Sequence, residues 1–285
     1  VFILSIVIVF GAIRFEISKS KGVDTITVAA VGTDSEIGGL PLPQGNKNEQ
    51  DIEKIFNRTE VAAGAGARIV VWTEAAFYLE PAYEEIWIAA FQELAKSSNI
   101  TLVASYILLV SESHFNYENK YLLINSEGEI INTYLKHQPV PGEPAIKGTD
   151  PLKVFDIEGL NLGGAICYDY DFPYLAKEYG DINADIVAVP SSDWRGIDPL
   201  HTRMAAFRAV EQGQSILRST RFGLSAAINP YGDMLSQMSS FDTNNKIMIS
   251  QLPVKGITTV YSIIGDIVVY LSIAFILIFF LYRKL

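Results

Sequence analysis

Three segments of this 285-residue chain close an apolar, β-branched run with a side chain that can do chemistry. Arg68-Ile-Val-Val-Trp-Thr-Glu74 ends in a carboxylate. Ile130-Ile-Asn-Thr-Tyr-Leu-Lys136 ends in an amine, and the turn His137-Gln-Pro-Val-Pro-Gly-Glu143 brings a second acid. Leu162-Gly-Gly-Ala-Ile-Cys167 ends in the only cysteine of the sequence, ahead of Tyr168-Asp-Tyr-Asp-Phe-Pro173. A single cysteine forms no disulfide within its chain, so the thiol is either inert filling or a nucleophile. A carboxylate in an interior strand is costly unless paired or used. Each feature alone has a plain structural reading: a packed thiol, a helix-initiating acid, an exposed strand-end lysine. Together they favour chemistry. A thiol of pKa about 8.5 is mostly protonated at neutral pH and needs a base. A carboxylate can take its proton, and an ammonium can stabilise the oxyanion of an attacked carbonyl. In α/β folds, reactive groups collect at the carboxyl ends of strands.

In this order, the three segments resemble the nitrilase, or carbon-nitrogen hydrolase, superfamily over roughly residues 24–252. The resemblance implies a four-layer α-β-β-α sandwich, with Glu74 as general base, Lys136 as oxyanion stabiliser and Cys167 as nucleophile. It places Glu143 as the second acid beside them and the Tyr168 backbone N–H in the oxyanion hole. Asp169 stands where members usually have a glutamate. Three further stretches, Val189 to Gly196, His201 to Gly213 and Ser215 to Asp233, look most like the apolipoprotein N-acyltransferase branch. That branch implies a phospholipid acyl donor, a lipoprotein N-terminal amine as acceptor, a bilayer partner and no cofactor. The interval from Lys136 to Cys167 is shorter than that branch usually has, reduced around Pro144 to Leu152. An amidase that gives the acyl group to water therefore stays open, as does an inactive binding relative. Phe77, Tyr78, Tyr170 and Trp194 are candidates to line an apolar pocket; core packing competes for the first three.

The elements that must position these groups follow from pattern. Strands are expected at Asp24 to Val31, Ile100 to Val110, Ile186 to Val189 and Ile247 to Leu252, and a hairpin around Glu127-Gly128. Helices are expected at Asn46 to Ala65 and Tyr83 to Lys96. Another runs from His201 to a Gly213 cap, with Met204, Phe207 and Val210 as its apolar stripe. This gives one large α/β domain over 24–252, flanked by linkers at 14–23 and 253–262. Ile263 to Tyr282 is apolar apart from Asp266. At 1.5 Å per residue it reaches about 30 Å, which predicts a transmembrane helix. Arg283 and Lys284 after it predict a cytoplasmic C-terminus and an extracytoplasmic catalytic domain on a bacterial membrane. Val1 to Ile13 reads as part of a membrane helix or as the apolar core of a signal sequence. The mean hydropathy is positive, and the surplus sits at these two ends.

The net charge of −10 argues against nucleic acid. His114, His137 and His201 lack metal-ligand spacing, and no metal is expected. There is no Gly-x-Ser-x-Gly elbow and no phosphate loop.

Overall fold

A computed structural model describes residues 2–20, 23–37, 42, 46–110, 116–242 and 244–283; His114 and Lys284 lie outside them. The chain runs α1 (Phe2–Ser20), β1 (Thr25–Val31), α2 (Lys47–Gly64), β2 (Ile69–Trp72), β3 (Tyr78–Leu79), α3 (Glu84–Ser98), β4 (Thr101–Leu109), β5 (Tyr117–Ile124) and β6 (Ile130–Leu135). It continues through β7 (Phe155–Ile157), β8 (Leu160–Gly164), α4 (Pro173–Asp181), β9 (Ile186–Ser192), α5 (Leu200–Gln212) and β10 (Ser215–Arg221). The last elements are β11 (Leu224–Ile228), β12 (Met234–Ser239), β13 (Ile247–Pro253), α6 (Val260–Ile264) and α7 (Ile267–Tyr282).

Two sheets result. The first has the order β13-β1-β2-β4-β5-β6, with β3 paired to β4; the second has the order β12-β11-β10-β9-β8-β7. In the first, β1, β2 and β4 are parallel, and β5 reverses so that β6 runs with them. In the second, β8, β9 and β10 are parallel. Alternation along β1 and β2 explains the layering. Val28, Ala30, Ile69 and Val71 join a core shared with Val187, Val189 and Leu217 of the second sheet. Ala29, Val31, Val70 and Trp72 point the other way, against Ile52 and Ile55 of α2 and Phe91 and Leu94 of α3. Leu175 and Tyr179 of α4 and Ala205 and Ala209 of α5 pack into the core on the side of the second sheet. Helices thus cover both outer faces of two stacked sheets.

Trp72 anchors the first outer layer. Its indole N–H donates to Thr59 Oγ1 at 2.9 Å, and its ring packs edge-on against Phe77 and Phe91. Full burial of such side chains stabilises by roughly 1.5–3 kcal/mol each. The second sheet is fixed near the thiol by close approach. Tyr121 of β5 and Tyr179 of α4 both donate a hydroxyl to the Gly164 carbonyl. A Cβ on Gly163 would lie 2.5 Å from the Tyr179 ring, and one on Gly164 would lie 2.6 Å from the Tyr121 hydroxyl.

Helix α5 corrects the expected stripe. Phe207 is 66% exposed and Met204 and Val210 are also exposed. The buried face is His201, Thr202, Ala205, Ala209 and Gln212. Those positions keep the helical period, and the small side chains of Thr202, Ala205 and Ala209 let α5 lie close to the sheet. The ends of the chain also differ from expectation. Residues 14–20 continue α1 instead of forming a linker. A continuous membrane helix over 263–282 does not form. Gly265 adopts φ +53°, a glycine-favouring conformation, and separates the short α6 from α7. The 16 residues of α7 reach about 24 Å, short of a hydrocarbon core of about 30 Å. Among the described residues, no helix is long and apolar enough to cross a membrane. The orientation read from Arg283 and Lys284 therefore has no spanning helix to rest on.

Gly213 caps α5 at φ +72°, and a Cβ there would lie 1.8 Å from the Ile257 carbonyl oxygen. Gly213→Ala is expected to cost at least ~2 kcal/mol from left-handed strain plus the clash. Urea denaturation would register this as a lowered midpoint with an unchanged slope.

Candidate active site

The parallel strands bring their carboxyl ends to one edge, and the reactive groups follow. Glu74 lies just past β2, Lys136 just past β6 and Cys167 just past β8. All three are buried and line one cavity of about 820 Å³. The Lys136 ammonium donates to Glu74 Oε1 at 2.7 Å and to Glu143 Oε2 at 2.8 Å. Asn119 of β5 ties the two acids together, its Nδ2 donating to Glu74 Oε1 at 2.7 Å and Glu143 Oε1 at 3.0 Å. Glu143 is presented by a turn with Pro141 second and Gly142 third at φ +88°. The Val140 N–H donates to its Oε2 at 2.9 Å.

Cys167 begins a 3-10 turn, Cys167–Asp171, at φ +49°. For a side-chain-bearing residue this is a sparsely populated, strained conformation. The Sγ approaches the Ser192 carbonyl at 3.6 Å. Tyr168 follows and lines the same cavity. Asp169 does not face the trio. Its carboxylate accepts from the Ile166 N–H at 3.0 Å, the Gln138 N–H at 2.5 Å and the Tyr134 hydroxyl at 2.8 Å. It therefore pins the cysteine turn to the segment that follows Lys136.

Electrostatics set the resting protonation. Burial pushes the Cys167 thiol well above its ordinary value, and Glu74 adds to the rise. Burial alone would raise Glu74 as well, but the Lys136 ammonium and the Asn119 amide override it and hold the carboxyl below its usual range. Burial disfavours the Lys136 ammonium; Glu74, Cys167 and Glu143 outweigh this and keep it charged. At neutral pH the site thus holds a thiol, a carboxylate and an ammonium. Such a set can transfer a proton from sulfur to carboxylate and receive an oxyanion beside the ammonium.

A second charged chain borders the thiol. His201 contacts Asp193 Oδ1 through Nδ1 at 2.6 Å and Asp171 Oδ1 through Nε2 at 2.7 Å. Arg218 donates to Asp193 at 2.8 and 3.0 Å. The ligand atoms of Cys167, Asp193 and His201 lie within 4.8 Å of one another. Arg218 bonded to both Asp193 oxygens makes this an ion network ill suited to a cation. Burial opposes charge on His201, but the two carboxylates raise its pKa above 6.5.

The aromatic candidates separate. Trp194 lines the cavity and is largely exposed. Phe77 is fully buried against Trp72, Phe91 and Tyr106. Tyr170 is buried with its hydroxyl on Gln214 Oε1 at 2.7 Å, so these two belong to the core. Tyr78 packs beside Ile37, Ala75, Ile107 and Tyr117, outside the lining residues. Sequence reading missed Asn119, Asp193, Arg218 and Arg221. Their signal was present: a polar or charged residue inside or ending a buried strand requires a partner.

Two stacked sheets with helices outside, and reactive groups at the strand ends, define a nitrilase-like α/β fold. The chain belongs to the carbon-nitrogen hydrolase family, whose profile matches residues 27–261. Among similar proteins, the apolipoprotein N-acyltransferase of Borreliella burgdorferi is 29% identical over 186 residues, 63% of this chain and 33% of that protein. The apolipoprotein N-acyltransferase of Wigglesworthia glossinidia brevipalpis is 27% identical over 276 residues, 84% of this chain and 53% of that protein. The chain thus spans a third to about half of the length of these curated relatives. An amidase from Nesterenkonia sp. superposes with a TM-score of 0.67 at 18% identity, over 82% of this chain and 92% of that chain.

The histidine yields a pH test. Because its folded pKa is raised, His201 contributes stability that is complete below 6.5 and is lost as pH rises through the folded value. Urea unfolding from pH 6 to 9 is expected to show that loss in the wild type, and His201→Gln should flatten it. Parallel curves for the two proteins would remove His201 as its source.

Proposed function

We propose that the chain is a thiol acyltransferase that carries an acyl group on Cys167 and delivers it to an amine. The proposed donor is a phospholipid and the proposed acceptor a lipoprotein N-terminus, at a bacterial membrane surface. The observation that carries this reading is the Lys136 ammonium clamped between Glu74 and Glu143 in the cavity that holds the thiol. An ammonium has three N–H donors. Two are committed to the acids, which leaves one for a substrate oxygen.

In the proposed cycle, the Glu74 carboxylate takes the Sγ proton as sulfur attacks the acyl carbonyl. The resulting oxyanion is met by Lys136 Nζ and the Tyr168 backbone N–H. Collapse breaks the bond to the donor's leaving group, which departs with the proton from Glu74, and a thioester remains. The amine then attacks the thioester carbonyl and gives its proton to Glu74. The second collapse expels the thiolate, which regains that proton. Each half-reaction returns the site to its starting protonation.

Three observations support the choice of donor and acceptor. The relatives bear the name apolipoprotein N-acyltransferase. The cavity carries an apolar lining that includes Ile107, Leu109, Val140 and Ile197. Helix α7 exposes apolar side chains on all sides, Phe275 at 71% and Leu281 at 66% among them, which suits a lipid surface. One observation favours hydrolysis as a second reading. The segment after Glu143 runs as an extra edge along the sheet, with Ile146 N–H on the Tyr117 carbonyl and Gly148 N–H on that of Lys136, and forms no projecting arm. Water is the acceptor in that case.

Incubation with labelled phospholipid vesicles, then trapping on Cys167, separates the two. A lipid-derived thioester cleared by an amine peptide supports transfer. Ammonia release from small amides without a lipid adduct supports the amidase. In either case Cys167→Ala should lose all turnover, Glu74→Gln about 10²–10⁴-fold and Lys136→Met at least about 10²-fold. Full activity in Cys167→Ala would sink both readings.

A further inference from the structure

We infer that Arg221 forms an anion-binding subsite inside the catalytic cavity, and that the acyl substrate bears a carboxylate or phosphate oxygen that docks there. The assignment of a substrate class rests on the acyl-transfer reading above. Arg221 ends β10 and lines the cavity with Cys167 and Glu74 while only 7% exposed. Its partners are all neutral. Nε donates to Ser192 Oγ at 2.9 Å, Nη1 reaches the Ser35 carbonyl at 3.5 Å, and Nη2 donates to the Ile37 carbonyl. Among the described residues, no carboxylate lies within ion-pairing distance, and residues 38–45 contain no acid.

The contrast with Arg218 is instructive. The two arginines stand three apart on one strand, so their side chains leave on opposite faces. Arg218 finds both oxygens of Asp193; Arg221 finds only carbonyls and a hydroxyl. A guanidinium has five N–H donors in a planar fork. Among the described residues three are engaged, which leaves room for the two-pronged recognition that suits carboxylate and phosphate. Burial lowers the Arg221 pKa to about 10, with Glu74 pulling the other way, so it is still a cation at neutral pH.

The subsite is next to the chemistry. Ser192 touches both groups, its carbonyl against Cys167 Sγ at 3.6 Å and its hydroxyl accepting from Arg221 Nε. The chain turns immediately after Arg221, with Phe222 at φ +55° and Gly223 so close to Asp193 that a Cβ would lie 2.7 Å from its Oδ2. The bonds to Ser192, Ser35 and Ile37 hold the guanidinium where it lines the cavity. The competing role is a tether that holds Ser35 and Ile37 to β10. A tether needs the hydrogen bonds but not the charge.

Alkylation of Cys167 tests the subsite without turnover, since it is the only cysteine. Iodoacetate is anionic and iodoacetamide is its neutral counterpart; mass spectrometry reads the rate of each. Arg221→Gln is expected to slow iodoacetate about 10-fold or more relative to iodoacetamide, and Arg221→Lys to recover part of the difference. Equal slowing of both reagents would mark a tether and overturn the subsite, whatever the enzyme's reaction. Substrates then identify the source of the anion. Loss in Arg221→Gln of adduct formation from phosphatidylglycerol vesicles assigns a phosphodiester. Loss of a preference for succinamate over butyramide assigns a carboxylate. An equal loss on phosphatidylglycerol, succinamate and butyramide counts against the subsite.

Discussion

The site depends on keeping one ammonium charged while it is almost wholly out of water. A buried ion pair is only marginally favourable, because desolvation consumes most of the attraction. Lys136 meets that cost with two carboxylates, and each carboxylate is itself satisfied by Asn119. The Pro141-Gly142 turn adds the Val140 N–H to Glu143. Elements distant in sequence are therefore required at once: the end of β2, the start of β5, the end of β6 and the turn beyond it. The fold of the first sheet and the protonation state of the site are one constraint.

Backbone strain marks the same edge. Ala75, Cys167 and Phe222 all have positive φ, at 48°, 49° and 55°. Each lies at or just past the carboxyl end of a parallel strand, beside or at a cavity residue. Such conformations cost of order 1–3 kcal/mol and persist only where the surroundings enforce them. For Cys167 the enforcement is visible. Asp169 bonds the Ile166 and Gln138 N–H groups, and Tyr121 and Tyr179 clamp Gly164. The thiol is held at the head of a turn, where rearrangement would break bonds on both sides.

What was legible in the sequence divides along physical lines. Apolar runs closed by a reactive residue pointed to Glu74, Lys136 and Cys167, whereas the crowding at Gly163 and Gly164 ahead of the thiol emerged only from packing. The Pro-Gly pair located Glu143, because turn chemistry is local. The facing of side chains was not legible. Phe77 lies three residues past Glu74 and Tyr170 three past Cys167, yet both are buried in the core and neither lines the cavity, since neighbouring strand or turn residues leave on different sides. The stripe of Met204, Phe207 and Val210 follows the helical period, but so does the set headed by His201. Only tertiary packing shows that α5 buries its small and polar side. Hydropathy read residues 263–282 as one span, whereas one glycine at φ +53° divides them.

Charge balance explains why one acid can serve both halves of the proposed cycle. Lys136 with Glu74 and Glu143 carries a net −1, and Arg221 brings the local sum to zero. Asp171, His201, Asp193 and Arg218 also sum to zero while the imidazole is protonated. Transfer of the thiol proton to Glu74 raises the first sum by one and leaves the thiolate with the matching negative charge, so the total over site and thiol is unchanged while the negative charge moves from carboxylate to sulfur. Attack on a carbonyl moves it again, to the oxyanion. Since the positive groups are fixed by hydrogen bonds, they need not reorganise as the charge migrates, and this preorganisation is what a low-dielectric site supplies. A protonated His201 matters for the same reason. If it were neutral, the second network would carry a net negative charge, with Asp193 within 4.8 Å of the Cys167 sulfur, and would oppose the thiolate on which the first half-reaction depends.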